Sequence, residues 1–346
     1  MNAAAQPRVV VADDSAFMRQ VLSKGLAEGG FDVVAVVADG DAALAACAEH
    51  QPDVLSLDLA MPGAHGLDVL RALSSQLSPI RVVVVSAFSP AYGARAVDAL
   101  AEGAFELVAK PASGAGLAPF MEELVEKILL AAAAPPSRPV SVATRAVLAS
   151  RTRPRTASHP DRAVVIACST GGPRALAELV PHLPERLGKG TLIVQHMPAG
   201  FTGSLAERLD RASKLGVREA AGGESLDPGT AVLARGGSHL RLQHGTLSVT
   251  DEEPIGGLRP RADLTIRDAA EAFGSDLVLV VLTGMGKDGL HGAVEVKRRA
   301  GRVLVEAEST CTVYGMPRAI VEAELADAVL PLDQLPAAII EEANAR

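Results

Sequence analysis

The chain has 346 residues, of which 48% are hydrophobic and 3% aromatic with no tryptophan, and its formal net charge is −8. That length exceeds one ordinary domain, and the acidic balance excludes recruitment to nucleic acid or an anionic membrane by overall charge. The three cysteines, Cys47, Cys168 and Cys311, have no paired metal-ligand spacing and read as reduced thiols of a cytoplasmic protein. The first residues lack the basic start and apolar core of a secretory signal, and apolar runs such as 277–282 have the length of strands rather than membrane spans.

From residue 8 onward, short Val/Leu-rich runs at 8–12, 32–37, 54–57, 81–86 and 107–109 alternate with helical apolar periods at 16–27, 40–48, 66–73, 91–102 and 121–130. Five repeats of strand then helix predict a doubly wound parallel sheet, whose ligands gather at the carboxyl ends of the strands. Asp13, Asp14, Asp58, Ser86 and Lys110 all fall at those ends. Residues 1–130 therefore form a first domain. Residues 131–160 change character: proline, alanine and five arginines with no acidic residue describe a solvated basic linker, with a short helix in 142–150.

The alternation resumes over 161–346, with strands expected at 163–168, 191–195, 231–234, 277–282, 302–305 and 328–330. A helical pattern over 174–180 follows the first of these, and 240–243 with 246–249 reads as a tight hairpin around His244-Gly245. The second domain is thus again α/β and doubly wound, with an antiparallel excursion.

Two adjacent carboxylates and a third on a neighbouring strand make the hard-oxygen pocket that Mg²⁺ prefers. Asp58, alone before the turn Met61-Pro62-Gly63, is the best nucleophile toward a phosphoryl donor. Asp13 and Asp14 would hold the metal, Lys110 would pair with the acyl phosphate, and Ser86 would hydrogen-bond a phosphoryl oxygen. Any one strand-end carboxylate is as readily a solvated side chain; the constellation is not. Over roughly residues 8–128 the segment resembles the receiver domain of bacterial response regulators. The matching features are the Asp pair, Asp58 with Met61-Pro62 and Gly66, Ser86-Ala87, and Gly103-Ala104-Phe105 with Lys110-Pro111. Two positions depart from that pattern. Ala60 offers the metal a backbone carbonyl but no side chain to steer water, and Leu107 stands where an aromatic switch residue is common. Both bear on phosphate lifetime and switching style.

Later, Val164-Val165-Ile166-Ala167-Cys168 runs into Ser169-Thr170-Gly171-Gly172-Pro173, presenting a serine on a strand-to-helix turn whose free N–H groups face a developing oxyanion. Position 167 is alanine, so the Gly-x-Ser-x-Gly elbow of the α/β-hydrolases is absent, as is the Gly-Lys-Ser/Thr ending of a phosphate loop. A serine nucleophile needs a base, and the base works best when a carboxylate orients it. His196 ends the run 191–195 as Ser169 ends 163–168, while His239 opens the hairpin and His291 lies in a helical pattern. Asp288 follows the most apolar strand within Thr283-Gly284-Met285-Gly286-Lys287-Asp288-Gly289. A turn aspartate is more often a helix cap, and a lone histidine more often structural, so the grouping carries the reading. Cys168 is the rival nucleophile, but strand neighbours point to opposite faces and only Ser169 adjoins the glycine turn.

Residues 161–346 resemble the catalytic domain of the chemotaxis protein-glutamate methylesterases. The motifs are Ser169-Thr170-Gly171-Gly172, Gln195-His196-Met197-Pro198, Arg259-Pro260 with Asp263, Thr283-Gly284-Met285-Gly286 with Asp288-Gly289, and Tyr314-Gly315-Met316-Pro317. The resemblance implies Ser169 as nucleophile, His196 as base, Asp288 as its orienter and a backbone N–H near Met285 as an oxyanion donor. It also implies hydrolysis of glutamyl methyl esters on chemoreceptors with release of methanol, deamidation of selected glutamines, and no cofactor for the esterase. The partners implied are methyl-accepting chemoreceptors and a chemotaxis histidine kinase, with neither nucleic acid nor membrane insertion. The expected gate is an unphosphorylated receiver covering the Ser169 face. Rival readings are a binding module that has lost catalysis and a DNA-binding response regulator.

Overall fold

A computed structural model describes residues 6–62, 64–76, 78–87, 90–111, 116–134 and 161–344 of the chain. The basic stretch 135–160, with the helix expected in 142–150, lies outside the described residues. The first sheet contains β1 (Arg8–Ala12), β2 (Asp32–Val37), β3 (Val54–Leu57), β4 (Arg81–Ser86) and β5 (Glu106–Ala109) in the order β2-β1-β3-β4-β5, all parallel. Helices α1 (Ala16–Glu28), α2 (Gly40–His50), α3 (Gly66–Ser75), α4 (Pro90–Ala101) and α5 (Leu117–Ala133) connect and follow these strands. The alternation of β1 shows why the helices take two sides: Val9 and Val11 pack with Leu22 of α1 and Leu124 of α5, whereas Val10 and Ala12 pack with Ala43 of α2 and Val69 of α3. Branched and aliphatic side chains buried on both faces, each worth roughly 1.5–3 kcal/mol, fill most of this core, with Phe31, Phe105 and Phe120 on the side of α1 and α5.

The second sheet is formed by β6 (Ala163–Cys168), β7 (Thr191–Gln195), β8 (Gly216–Glu219) and β9 (Thr230–Leu233). After the hairpin of β10 (His239–Gln243) and β11 (Thr246–Thr250), it is completed by β12 (Leu277–Val281), β13 (Arg302–Glu306) and β14 (Ala328–Leu330). The strand order is β14-β13-β12-β6-β7-β9-β8, parallel throughout. Helices α6 (Gly172–Leu179), α7 (Thr202–Ala212), α8 (Ala262–Phe273), α9 (Leu290–Arg298), α10 (Met316–Glu322) and α11 (Leu335–Ala343) cover it. The strand order reverses around β6, which is the central strand and carries Ser169 beyond its carboxyl end, where a doubly wound sheet opens a crevice.

The differences from the sequence expectations have physical causes. Strand β8 was not foreseen, because this short edge strand buries only Val217, with Arg218 exposed and Glu219 turned to the Thr202 hydroxyl, and so has no apolar run. Helix α5 continues through Ala133, into the segment read as linker, since Ala131–Ala133 favour helix and Ala131 packs on the core. The hairpin is one residue longer at its open end, and His244 and Gly245 both take positive φ (51° and 79°), the signature of a tight primed turn. Among the described residues no helix is long and apolar enough to cross a membrane.

Candidate active site and phosphorylation site

Ser169 follows β6 and precedes α6, whose N-cap Gly171 has φ of 80°, a conformation that favours glycine. A Cβ at Gly171 would collide with the Thr312 side chain, and one at Gly172 with the Gln195 amide, so both glycines allow the turn to press against its neighbours. Ser169 N–H donates to the Thr283 carbonyl at 3.0 Å, and Gly284 passes so close that a Cβ there would lie 2.8 Å from Ser169 Cβ. The loop after β12 therefore lies against the nucleophile loop.

His196 leaves the carboxyl end of β7, and its backbone N–H donates to the Cys168 carbonyl at 3.1 Å, tying it to the strand that carries Ser169. Its Nε2 lies 2.7 Å from Asp288 Oδ2, and both side chains are almost fully buried. Among the described residues no hydrogen bond joins His196 to the Ser169 hydroxyl, and the ring is held by Asp288. With Nε2 taken by the carboxylate, Nδ1 is the nitrogen left to act as base.

Asp288 is held from several sides. Its Oδ2 also accepts the Ala262 N–H at 2.6 Å, and Oδ1 accepts the Asp263 and Gly289 N–H groups at 3.0 Å each. Arg261 Nε lies 2.8 Å from Oδ1. Burial opposes ionisation, but the bonds to His196 and to the first N–H groups of α8 outweigh it and hold the carboxyl down at about 2. Asp263 reciprocates: Oδ1 accepts the Gly289 and Gly292 N–H groups at 2.9 and 2.8 Å, capping α9, and Oδ2 meets Arg261.

The other candidates fall elsewhere. Cys168 is fully buried, burial pushes its thiol far up, and Sγ lies 3.0 Å from Gln195 Oε1, so the thiol is engaged by Gln195 rather than by His196. His239 is fully buried, with Nδ1 accepting the Arg261 N–H and Nε2 beside the Glu253 carbonyl. His291 is exposed and meets Asp263. Sequence spacing did not single out Arg261, gave no role to Asp263, and passed over Glu306. Their work is done on backbone donors or in burial, and the only signals were a carboxylate in the first turn of α8 and another closing an apolar strand.

At the carboxyl end of the first sheet, Asp13 and Asp58 are buried and Asp14 is exposed, and one oxygen from each lies within 4.8 Å of the others. Lys110 Nζ bridges Asp58 Oδ2 at 2.6 Å and Asp13 Oδ2 at 2.8 Å. Burial pushes the Asp13 carboxyl up and Lys110 offsets only part of that, whereas for Lys110 the two carboxylates outweigh burial and hold its pKa up. Three carboxylates converge there on the single ammonium of Lys110, so the cluster carries more negative charge than that cation neutralises. That surplus fits a divalent metal. Ala60 lies in the following turn and its N–H donates to Asp58 Oδ1 at 3.1 Å. Ser86 is buried with its hydroxyl 3.4 Å from the Ala87 carbonyl, outside the Asp–Lys cluster.

The two sites are structurally connected. Helix α4 packs on α6 and α7, and Arg208 pairs with Asp98. Val313, whose carbonyl accepts the Gly284 N–H, packs on the core of the first domain. Thr170, next to Ser169, donates its hydroxyl to Glu106 Oε2 of β5 at 2.6 Å.

The CheB methylesterase family matches residues 164–339, and the response regulator receiver domain matches residues 9–119. The chain is 45% identical over 333 residues to protein-glutamate methylesterase/protein-glutamine glutaminase 5 of Myxococcus xanthus, with 94% of this chain and 95% of that one covered. A protein-glutamate methylesterase/protein-glutamine glutaminase of Thermotoga maritima is 39% identical over 341 residues, covering 96% of this chain and 98% of the other. The crystal structure of the Thermotoga maritima CheB methylesterase catalytic domain superimposes with a TM-score of 0.51 at 44% identity, over 53% of this chain and 99% of that domain.

Proposed function

The chain belongs to the CheB methylesterase family, and from that premise we propose that Ser169, His196 and Asp288 form its catalytic triad and Asp58 its phosphorylation site. It is a phosphorylation-regulated protein-glutamate methylesterase and protein-glutamine glutaminase. The substrates are glutamyl methyl esters on the cytoplasmic helices of methyl-accepting chemoreceptors, and the phosphodonor is a chemotaxis histidine kinase.

Ser169 Oγ attacks the ester carbonyl while His196 Nδ1 takes its proton, and Asp288 at Nε2 holds the ring and stabilises the imidazolium. The N–H of Met285, beside the close pass of Gly284 over Ser169, receives the oxyanion. The C–O bond to methanol breaks as His196 returns the proton to the leaving oxygen. Water, deprotonated by His196, then cleaves the acyl-serine to a free carboxylate; with a glutamine substrate the leaving group is ammonia. The observation that carries this reading is the 2.7 Å His196–Asp288 contact, set beside the serine turn by the close-packed loops.

In the receiver, Asp13, Asp14, Asp58 and the Ala60 carbonyl would hold Mg²⁺, which offsets charge between the attacking carboxylate and the phosphoryl group. Asp58 attacks the phosphorus as its bond to the nitrogen of the donor histidine breaks, leaving the kinase imidazole free, and Lys110, already in contact with both buried carboxylates, pairs with the acyl phosphate. The gate is the contact of the first domain with the Ser169 face, through Glu106 and Val313.

The test is methanol release from methylated receptor membranes by wild type, Asp58→Asn and Ser169→Ala, with and without a small-molecule phosphodonor. Release by wild type alone should rise with the donor, Asp58→Asn should stay at the basal rate, and Ser169→Ala should release none. Turnover by Ser169→Ala would overturn the nucleophile, and a donor effect surviving in Asp58→Asn would overturn the gate.

A further inference from the structure

Glu306 ends β13 with its side chain fully buried. Oε2 accepts the Thr283 N–H at 2.8 Å, while Oε1 is buried with no hydrogen-bond partner. The titratable groups that face it are Cys168 at the end of β6, Cys311 in the loop after β13 and Glu178 on α6, with the Thr310 hydroxyl beside it. None is cationic, and no lysine, arginine or histidine forms an ion pair with Glu306 among the described residues. The donors that face it, the Thr283 N–H, the Thr310 hydroxyl and the Cys311 thiol, are all neutral, so a carboxylate there has no counter-charge and taking up a proton is the less costly state. Burial accordingly pushes its carboxyl up.

Thr283 is the hub of the catalytic turn. Its carbonyl accepts the Ser169 N–H at 3.0 Å, and its hydroxyl donates to the Thr170 carbonyl at 2.9 Å and accepts the Val313 N–H at 2.9 Å. The residues that follow it lead through Gly284 and Met285 to Asp288. Whatever fixes the Thr283 N–H therefore fixes both the nucleophile turn and the start of the loop that ends in the orienting carboxylate.

We propose that Glu306 is a positioning residue for the esterase reaction, present at neutral pH as the neutral carboxylic acid, whose Oε2 anchors Thr283 beneath Ser169. The residue touches no reacting atom; it acts through Thr283. This role rests on the assignment of Ser169 and Asp288 as catalytic.

Wild type, Glu306→Gln and Glu306→Ala test it. The infrared difference spectrum of wild type minus Glu306→Gln at neutral pH should contain a protonated-carboxyl C=O band, and a carboxylate band in its place would overturn the proposal. Urea unfolding gives a second readout. The unfolded glutamate ionises near 4.5 while the folded one keeps its proton, so wild type should lose stability relative to Glu306→Gln as pH rises above that value. A stability difference that is flat from pH 4 to 9 would count against it. In methanol release at neutral pH, Glu306→Gln should keep kcat within about 3-fold, whereas Glu306→Ala should lose roughly 10-fold or more in kcat with little change in KM. A folded but inactive Glu306→Gln would show that the charge is required. Turnover by Ser169→Ala in the same series would sink the nucleophile assignment while leaving the protonation result standing, which separates the two failures.

Discussion

Asp288 shows how a single carboxylate joins chemistry to architecture. It meets His196, three backbone N–H groups and Arg261, so an amide in its place could satisfy only part of that set. Asp288→Asn should lower kcat on the order of 10³- to 10⁴-fold, because the ring loses the tautomer in which Nε2 is the donor. It should also destabilise the fold by about 1–3 kcal/mol, since Arg261 Nε and the backbone donors lose a charged acceptor while Arg261 keeps its pair with Asp263. The pH dependence has a definite sign. The folded carboxyl lies near 2 against an ordinary 3.8, so its stabilising share is complete above 3.8 and is lost as pH falls through about 2. Urea unfolding of both proteins should give a constant difference between pH 5 and 8 that shrinks below pH 4. The sequence made Ser169, His196 and Asp288 legible because each follows an apolar strand and two of them sit among glycines. It could not reveal Arg261 or Glu306, whose roles depend on which backbone donors and which empty spaces the fold brings to them.

Helices α8 and α9 are locked together by exchange of caps. Asp288, just ahead of α9, accepts the first N–H groups of α8, and Asp263, in the first turn of α8, accepts those of Gly289 and Gly292 at the start of α9. The close approach depends on Gly292, where a Cβ would lie 2.6 Å from Ile266 Cβ. Asp263→Ala should therefore cost about 1–2 kcal/mol of stability and lower kcat more than it raises KM, because Gly289 is shared by both carboxylates. Gly292→Ala should destabilise by roughly 1–3 kcal/mol through overpacking, although alanine is the better helix former. Unfolding curves and steady-state kinetics of the two variants check both effects. At this scale the fold was largely readable: strand and helix periods differ, and parallel strands buried on both faces announce themselves as Val/Leu runs. Strand β8 escaped because a four-residue edge strand that carries Arg218 and Glu219 has no such run, and the reciprocal caps escaped because the sequence separation between Asp263 and Asp288 carries no periodic signal.

Across the whole molecule, the contact between Glu106 and Thr170 places the receiver's last strand one residue from Ser169, the proposed nucleophile. Glu106 also stands four positions before Lys110, which binds Asp58, so phosphorylation and the catalytic turn act on the same short strand β5. The Arg208–Asp98 pair is partly exposed and contributes little, whereas the Thr170 hydroxyl bonded to a largely buried carboxylate contributes more. A hydrogen bond to a charged group of this kind is worth about 1.5–3 kcal/mol, enough to shift a closed-to-open equilibrium by roughly 10- to 100-fold. Glu106→Ala should therefore raise the basal methanol release of unphosphorylated protein by about 10-fold, while the rate with a saturating phosphodonor stays near that of wild type. The substitution leaves Lys110, Asp58 and the triad in place, so a change confined to the basal rate identifies the contact as part of the brake. Equal basal rates in Glu106→Ala and wild type would assign the brake to the apolar packing of α4 on α6 and α7 and of Val313 on the receiver core instead.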